Sequence, residues 1–176
     1  MKTIKDIASI ESIIRSELIK QSQLPSNFVR NANSLYGPEL NKTIDENILD
    51  SITHDDCLLL FELFTNDTSN NVSFEKDDNN ITYYRSFRIQ ITVYGESSTN
   101  VASKLIARLR MEDSTMSLQD AGIHVESIQN SNTFNEFMNG TVWLRNDFDI
   151  YISCELEIEK VSDTESFDSA EFTIID

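Results

Sequence analysis

The residues of this chain best able to do chemistry are its two histidines, its two cysteines and several groups of carboxylates, and their spacing decides what each could do. His124 and Glu126 stand two apart, so on a strand they share a face, as a general base and its orienting carboxylate would. No Ser-His-Asp or Cys-His arrangement accompanies them, and a small hydrolase or ligand-binding α+β domain is the reading this pair leaves open. His54-Asp55-Asp56 offers metal-ligand types, but consecutive residues of a turn rarely converge on one ion, and a hydrophilic turn before a buried strand accounts for them. Asp77-Asp78-Asn79-Asn80 opens like a calcium loop, yet the sixth position from Asp77 is Thr82 and the twelfth is Arg88, where glycine and glutamate are needed. Glu155, Glu157 and Glu159 alternate along a strand about 7 Å apart. An open acidic face lacks the burial that turns a carboxyl group into an acid catalyst. Cys57 and Cys154 each lie in an apolar run and read as buried, reduced thiols. The four glycines, Gly37, Gly95, Gly122 and Gly140, are scattered and form no phosphate-cradling loop. No catalytic residue, cofactor or metal is therefore expected, and the chain reads as a non-enzyme.

The elements that must position these residues follow from periodicity. The run from Phe148 to Glu159 alternates, with Phe148, Ile150, Ile152, Cys154, Leu156 and Ile158 on one side and Asp149, Tyr151, Ser153, Glu155, Glu157 and Glu159 on the other. A slip of one residue would bury three glutamates at several kcal/mol each, so the register of this strand is firmly specified. Ile4, Ile7, Ile10, Ile14 and Leu18 recur at helical spacing behind a Thr3 cap, predicting a helix that ends near Gln21 to Gln23, before Leu24-Pro25. Ile44, Ile48, Leu49 and Ile52 predict a weak second helix, and Cys57 to Phe64 a buried strand. After an Asn-, Asp- and Ser-rich loop, Ile81 to Tyr94 alternates again with Tyr83, Phe87, Ile89, Ile91 and Val93 inward. A helix capped by Ser98 or Thr99 turns Val101, Ala102, Leu105, Ile106 and Leu109 inward and Lys104, Arg108 and Arg110 outward. A short strand from Ile123 to Gln129 follows. Phe134, Phe137 and Met138 then either tuck onto the core or serve as contact anchors before the last strand.

The pattern predicts an α+β fold: a mainly antiparallel or mixed sheet of about four to five strands with two or three helices packed on it, in a single domain. That domain covers residues 1–161, with an N-terminal helical part 3–56 and a sheet-and-helix part 57–161. Residues 162–176 form an acidic tail without Lys or Arg, expected to be solvated, though Phe172-Thr173-Ile174-Ile175 could add as a strand to a neighbouring edge.

With 30 acidic against 14 basic residues the net charge is −16, which opposes binding to DNA phosphates or an anionic membrane. A negatively charged channel wall would still let a duplex pass without sticking. No apolar run approaches the roughly 20 residues that cross a bilayer, and the opening Met1-Lys2-Thr3-Ile4-Lys5-Asp6 reads as amphipathic rather than as a signal peptide, so the chain is expected to stay where it is made. Trp143 and Arg145 are of types enriched at interface hot spots.

Phe87-Arg88-Ile89-Gln90-Ile91-Thr92-Val93-Tyr94-Gly95, the capped helix Thr99 to Met111, Gly122-Ile123 with Ile128-Gln129-Asn130, and Trp143 through Ile150 together resemble the neck and tail terminator proteins of tailed bacteriophages, over roughly Tyr83 to Val161. The chain length and N-terminal helical region are also similar to the tube terminator of contractile, T-even-type tails. The resemblance implies a ring, usually a hexamer, that sits on the last tail-tube ring, halts polymerisation and offers a surface for the head connector. Its partners would be copies of itself, the tail tube protein, and neck, head-completion or sheath-terminator proteins, with DNA passing unbound. It would be a late protein, assembled in the host cytoplasm into the virion tail or neck; a head-closure or sheath-terminating neck component is the alternative. Arg145, Asp147 and Asp149 map onto the family's Trp-Arg-Phe-Asp motif and, with Trp143, mark the expected subunit or tube contacts. A heterologous ring needs two different faces per subunit. Here these are the acidic strand face with Glu155 and Glu157, and the basic helix edge of Lys104, Arg108 and Arg110.

Overall fold

The computed structural model describes residues 3–32, 56–65, 73–75, 80–138 and 140–159. In chain order these form α1 (Ile7–Ser22), a short 3-10 turn (Ser26–Phe28), β1 (Val29–Asn31), β2 (Leu58–Thr65), β3 (Ser73–Glu75), β4 (Asn80–Tyr94), α2 (Ser98–Leu109), α3 (Glu112–Asp120), β5 (Ile123–Ile128), β6 (Asn132–Met138) and β7 (Thr141–Glu159). The predicted helix around Ile44 to Ile52, His54, most of the Asn66–Asn80 loop and the acidic tail with Phe172 to Ile175 lie outside the described residues.

Two long antiparallel strands, β4 and β7, form the spine, paired from Asn80↔Glu159 to Tyr94↔Arg145. Each is flanked on its outer side by shorter pieces. Alongside β4 run β2, antiparallel, and then β3, with β1 parallel to β2 beyond. Alongside β7 run β6, then β5, and then Ile4, whose N–H donates to the Glu155 carbonyl at 2.9 Å and whose own carbonyl accepts from Glu157 at 3.1 Å. The described residues thus make a mixed seven-stranded sheet, an α+β fold with more strands than the four to five expected.

The extra elements have physical causes. β3 occupies the middle of the polar loop: its Phe74 and Glu75 pair with Thr82 and Ile81, so the free flank of β4 and not apolar content decides it. Helix α3 has only Leu118 as a buried apolar residue, too few for a period to show, and its start is favoured by Glu112 and Asp113 in the first turn. α1 begins one turn later than the Thr3 cap predicts. Its cap is Asp6, whose carboxylate accepts the Ser9 N–H at 2.7 Å, because Ile4 is held extended against β7. Its end at Ser22, followed by Gln23 in the left-handed conformation ahead of Leu24-Pro25, is as expected.

All three helices pack on one face of the sheet. Ile10, Ile14 and Leu18 of α1 and Ala102, Leu105, Ile106 and Leu109 of α2 join Phe87, Ile89, Ile91 and Val93 of β4 and Phe148, Ile150, Ile152, Cys154 and Leu156 of β7 in one buried core. Both predicted apolar stripes are therefore inward; the side chains of Ile158 and Glu159 lie outside the description. Burial at about 25 cal/mol per Å² of apolar area is the driving force of this layer. Polar side chains are buried with it, Glu17, Ser98, Ser114 and Asn146 among them; Asn146 donates to Ser98 Oγ at 2.9 Å and Thr99 Oγ1 at 3.2 Å and accepts from Thr133 Oγ1 at 2.8 Å. Ser98 and Thr99, expected as the cap of α2, lie within its first turn, the N-cap being Ser97, and tie the helix start to β7, while Asn146 in turn ties β7 to β6.

The β4–α2 turn passes through Gly95, at φ +118°, where an added Cβ would lie 2.2 Å from the Asp56 carbonyl oxygen. Only glycine fits both the backbone angle and the contact. Gly95→Ala is expected to cost about 2 kcal/mol or more, read as a lowered urea midpoint; an unchanged midpoint would mean that the turn does not make this contact in solution.

Candidate functional site

The face of the sheet away from the helices carries the polar halves of β4 and β7. Alternation places Trp143, Arg145, Asp147, Asp149, Tyr151, Ser153, Glu155 and Glu157 there, with Arg88, Gln90, Thr92 and Tyr94 opposite them on β4. All these β7 side chains are half-buried, crowded by strands on both sides.

Arg145 is the centre of this face. Its guanidinium holds Asp147 with two bonds, Nε to Oδ1 at 2.8 Å and Nη2 to Oδ2 at 2.6 Å, and donates through Nη1 to Glu136 Oε2 at 2.9 Å. The Tyr94 hydroxyl donates to the same Glu136 oxygen at 2.9 Å, and the guanidinium lies 5.8 Å from the centre of the Tyr94 ring. Such bidentate pairs are the strong, geometrically selective kind of ion pair. Hydrogen bonding to Asp147 is the chief cause that drives the Arg145 pKa further up. Burial, and then the bond to Glu136, raise that of Tyr94, which stays a neutral donor. For Glu136, burial is the largest influence and acts upward, but the bonds from Arg145 and Tyr94 outweigh it and leave the carboxyl below its ordinary range. Further along, Arg88 stands 4.0 Å from Asp149 and 4.7 Å from the centre of the Phe64 ring.

The structure therefore brings Arg145, Asp147 and Asp149 onto one surface with Trp143, Glu155 and Glu157, and adds two members that the strand pattern did not reveal, Glu136 and Tyr94. Of the predicted basic helix edge, Lys104 is exposed as expected. Arg108 is half-buried and not outward: it donates to the Gln21 carbonyl at 2.7 Å and to Gln23 Oε1 at 3.1 Å, closing the C-terminal end of α1. Arg110, though exposed, donates to the Ile128 carbonyl at 2.7 Å and to Asn130 Oδ1 at 3.1 Å, pinning the junction of β5 and β6.

That junction interrupts what is otherwise one hairpin. β5 and β6 both run antiparallel to β7, from Ile123↔Cys154 to Met138↔Thr141, with a bulge between Val125 and Ser127 and an offset between Ile128 and Asn132. Gly140 turns the chain at φ +79°. The dipeptide Asn139-Gly140 is the strongest short hairpin signal a sequence offers, and it sits between the paired residues. Phe134 and Phe137 do not tuck onto the core: they are 50% and 72% exposed, and Val142, opposite Phe137, is 57% exposed.

His124, paired with Ser153, and Glu126, at the bulge, both reach the polar face, as the alternation predicts. The Glu126 carboxylate accepts from Ser86 Oγ at 3.2 Å, and exposed His124 borders an open depression with Tyr84, Gln119 and Ser153. Burial pushes the Cys154 thiol up to about 12 and raises that of Cys57, so both are poor nucleophiles. Among the described residues no three His, Cys, Asp or Glu side chains gather as a metal site, and no helix is long and apolar enough to cross a membrane.

A family model described as phage neck terminator protein matches residues 52–176. The match begins after α1, which nevertheless shares the core, and it takes in β4, β7 and the whole polar face. No curated protein matches the chain.

The depressed Glu136 carboxyl makes a pH prediction. A group whose folded pKa is lowered lends stability that is complete above its ordinary value, here 4.5, and is lost as pH falls through the lower folded value. Stability measured by urea denaturation should fall below about pH 4.5, and Glu136→Gln should flatten part of that fall; identical pH profiles for the two proteins would rule the network out as a contributor.

Proposed function

The chain belongs to the phage neck terminator protein family, and from that membership we propose that it caps the tail tube as a ring, stops tube polymerisation and presents the surface on which the head joins. It is a phage neck protein and a component of the virion. The observation that carries the finer reading is the sheet itself. One face is covered by three helices; the other has no helix on it among the described residues and bears charges already fixed in position by Arg145, Asp147, Glu136, Arg88 and Asp149. The motif residues Trp143, Arg145, Asp147 and Asp149 all lie on the open side. Side chains held by their neighbours before association lose less conformational freedom on docking, which favours a surface over a pocket as the working part.

The partners in this reading are further copies of the chain, most simply six in a closed ring, the last ring of tube protein on one side, and a head-completion or sheath-terminating neck protein on the other. Heterologous contacts that close produce such rings. The net charge of −16 supports passage of DNA through the ring without adhesion. The role is structural, with no bond made or broken. The Glu126 carboxylate is engaged by Ser86, and the two thiols are buried.

Deleting the gene from its phage is expected to leave filled heads and separate tails, with tubes of irregular length in electron micrographs, and supplying the chain from a plasmid should restore joined particles. Tubes of normal length that fail only to join would shift the role to head closure or sheath termination. Normal virions from the deletion phage would refute all of these.

A further inference from the structure

We propose that the tip of the β6–β7 hairpin is the arm by which one copy grips the next, seating Phe137 and Val142 in the groove between α1 and α3 of its neighbour. The proposal rests on the ring reading above and names the contact that builds it.

The tip overhangs the rest of the sheet. β4 and β7 pair no further than Tyr94↔Arg145, while β6 continues with β7 to Met138↔Thr141. Phe137 and Val142, directly opposed in the overhang, are 72% and 57% exposed, whereas Phe61, Phe87 and Phe148 of the other strands are buried. An exposed apolar pair of this kind, projecting on a short lever, is costly in water and is the usual mark of a docking element.

The same chain carries a matching recess. α1 and α3 leave a groove of about 300 Å³ between them, with Ile13, Leu118 and Ala121 as its apolar part, Ser12, Ser16 and Ser117 as its hydroxyls, and Glu17 held by Ser117 and paired with Lys20. The tip cannot reach it within one copy. The chain leaves α3 at Ala121 and enters β5 opposite Cys154, whereas the tip lies at Thr141, a separation along β7 of roughly 40 Å. Knob and hole at opposite ends of one subunit make a head-to-tail contact, which is the heterologous kind that closes into a ring.

Charge favours a second copy as the occupant. With a net charge of −16, most surfaces of this chain repel one another. The arm escapes this: between Gln129 and Leu144 it carries a single charge, Glu136, which is neutralised by Arg145. α1 carries Glu11 and Glu17 against Arg15 and Lys20 and is neutral, with Lys20 paired to Glu17 at 3.7 Å, so a neutral arm meets a neutral groove.

The test is disulfide trapping in phage particles. A phage encoding both Phe137→Cys and Ser16→Cys is grown beside phages encoding each alone, necks are purified and oxidised, and bands are read without reductant. Native Cys57 and Cys154 are buried, which keeps the background low. The double variant should give a ladder of multiples of the chain that collapses on reduction, with a bridged yield on the order of a hundredfold above either single variant. The chain present in joined virions with no such ladder would overturn the contact and leave the neck role standing. So would bridging of Phe137→Cys to itself, which means a symmetric tip-to-tip contact, or to the tube protein. Necks that lack the chain altogether would overturn the ring reading and the contact with it.

Discussion

The pairing of β4 with β7 is the constraint from which the rest of the fold follows. Because the two strands stay in register from Asn80↔Glu159 to Tyr94↔Arg145, one shared face is apolar along much of its length and the other polar. Sliding β7 by one residue would push Asp147, Asp149 and Glu155 toward the helices, where an unpaired carboxylate costs several kcal/mol, and sliding β4 would do the same to Arg88 and Gln90. Burial and charge therefore specify the same register. The short pieces, β2 and β3 on one flank and β6, β5 and Ile4 on the other, need little intrinsic preference of their own, since each is templated by a strand already in place.

The same pairing explains how an acidic chain holds an ordered polar surface. Arg145 and Asp147, two apart on one strand, lie close enough for a bidentate bond, and β6 brings Glu136 to the guanidinium from the side. Each charge is partly satisfied before any partner arrives. Docking such a face demands less desolvation of unpaired charge than docking an open row of carboxylates, and like-charge repulsion is confined to the Glu155 and Glu157 end. The cations on α2 are used differently: Arg108 closes the end of α1, and Arg110 fixes the break in the β5–β6 strand. Interactions within the chain, and not a basic docking edge, account for these two residues.

That break shapes the surface. The bulge after Val125 and the offset before Asn132 each change which face the following side chains take, so Ser127 comes to lie opposite Tyr151 and Phe134 opposite Arg145, both on the polar side. A two-residue count works along an unbroken strand. It fails across a bulge, which nothing in the apolar pattern of Ile123 to Met138 marks.

The amino-acid sequence by itself determined the two spine strands, their inward faces, the apolar stripes of α1 and α2, the end of α1 before Leu24-Pro25, and the family kinship carried by Tyr94-Gly95 and the Trp143 to Ile150 motif. These are local periodicities and turn residues, legible because each is written in consecutive positions. Only the tertiary structure decided β3, β6 and the extended Ile4, whose conformations come from a neighbouring strand with unpaired backbone groups. It alone assembled Tyr94, Glu136, Arg145 and Asp147, drawn from three strands, and tied Arg108 and Arg110 to other elements. Contacts between residues far apart in the chain have no period, and so the polar face and the hairpin arm exist only once β4, β6 and β7 lie side by side.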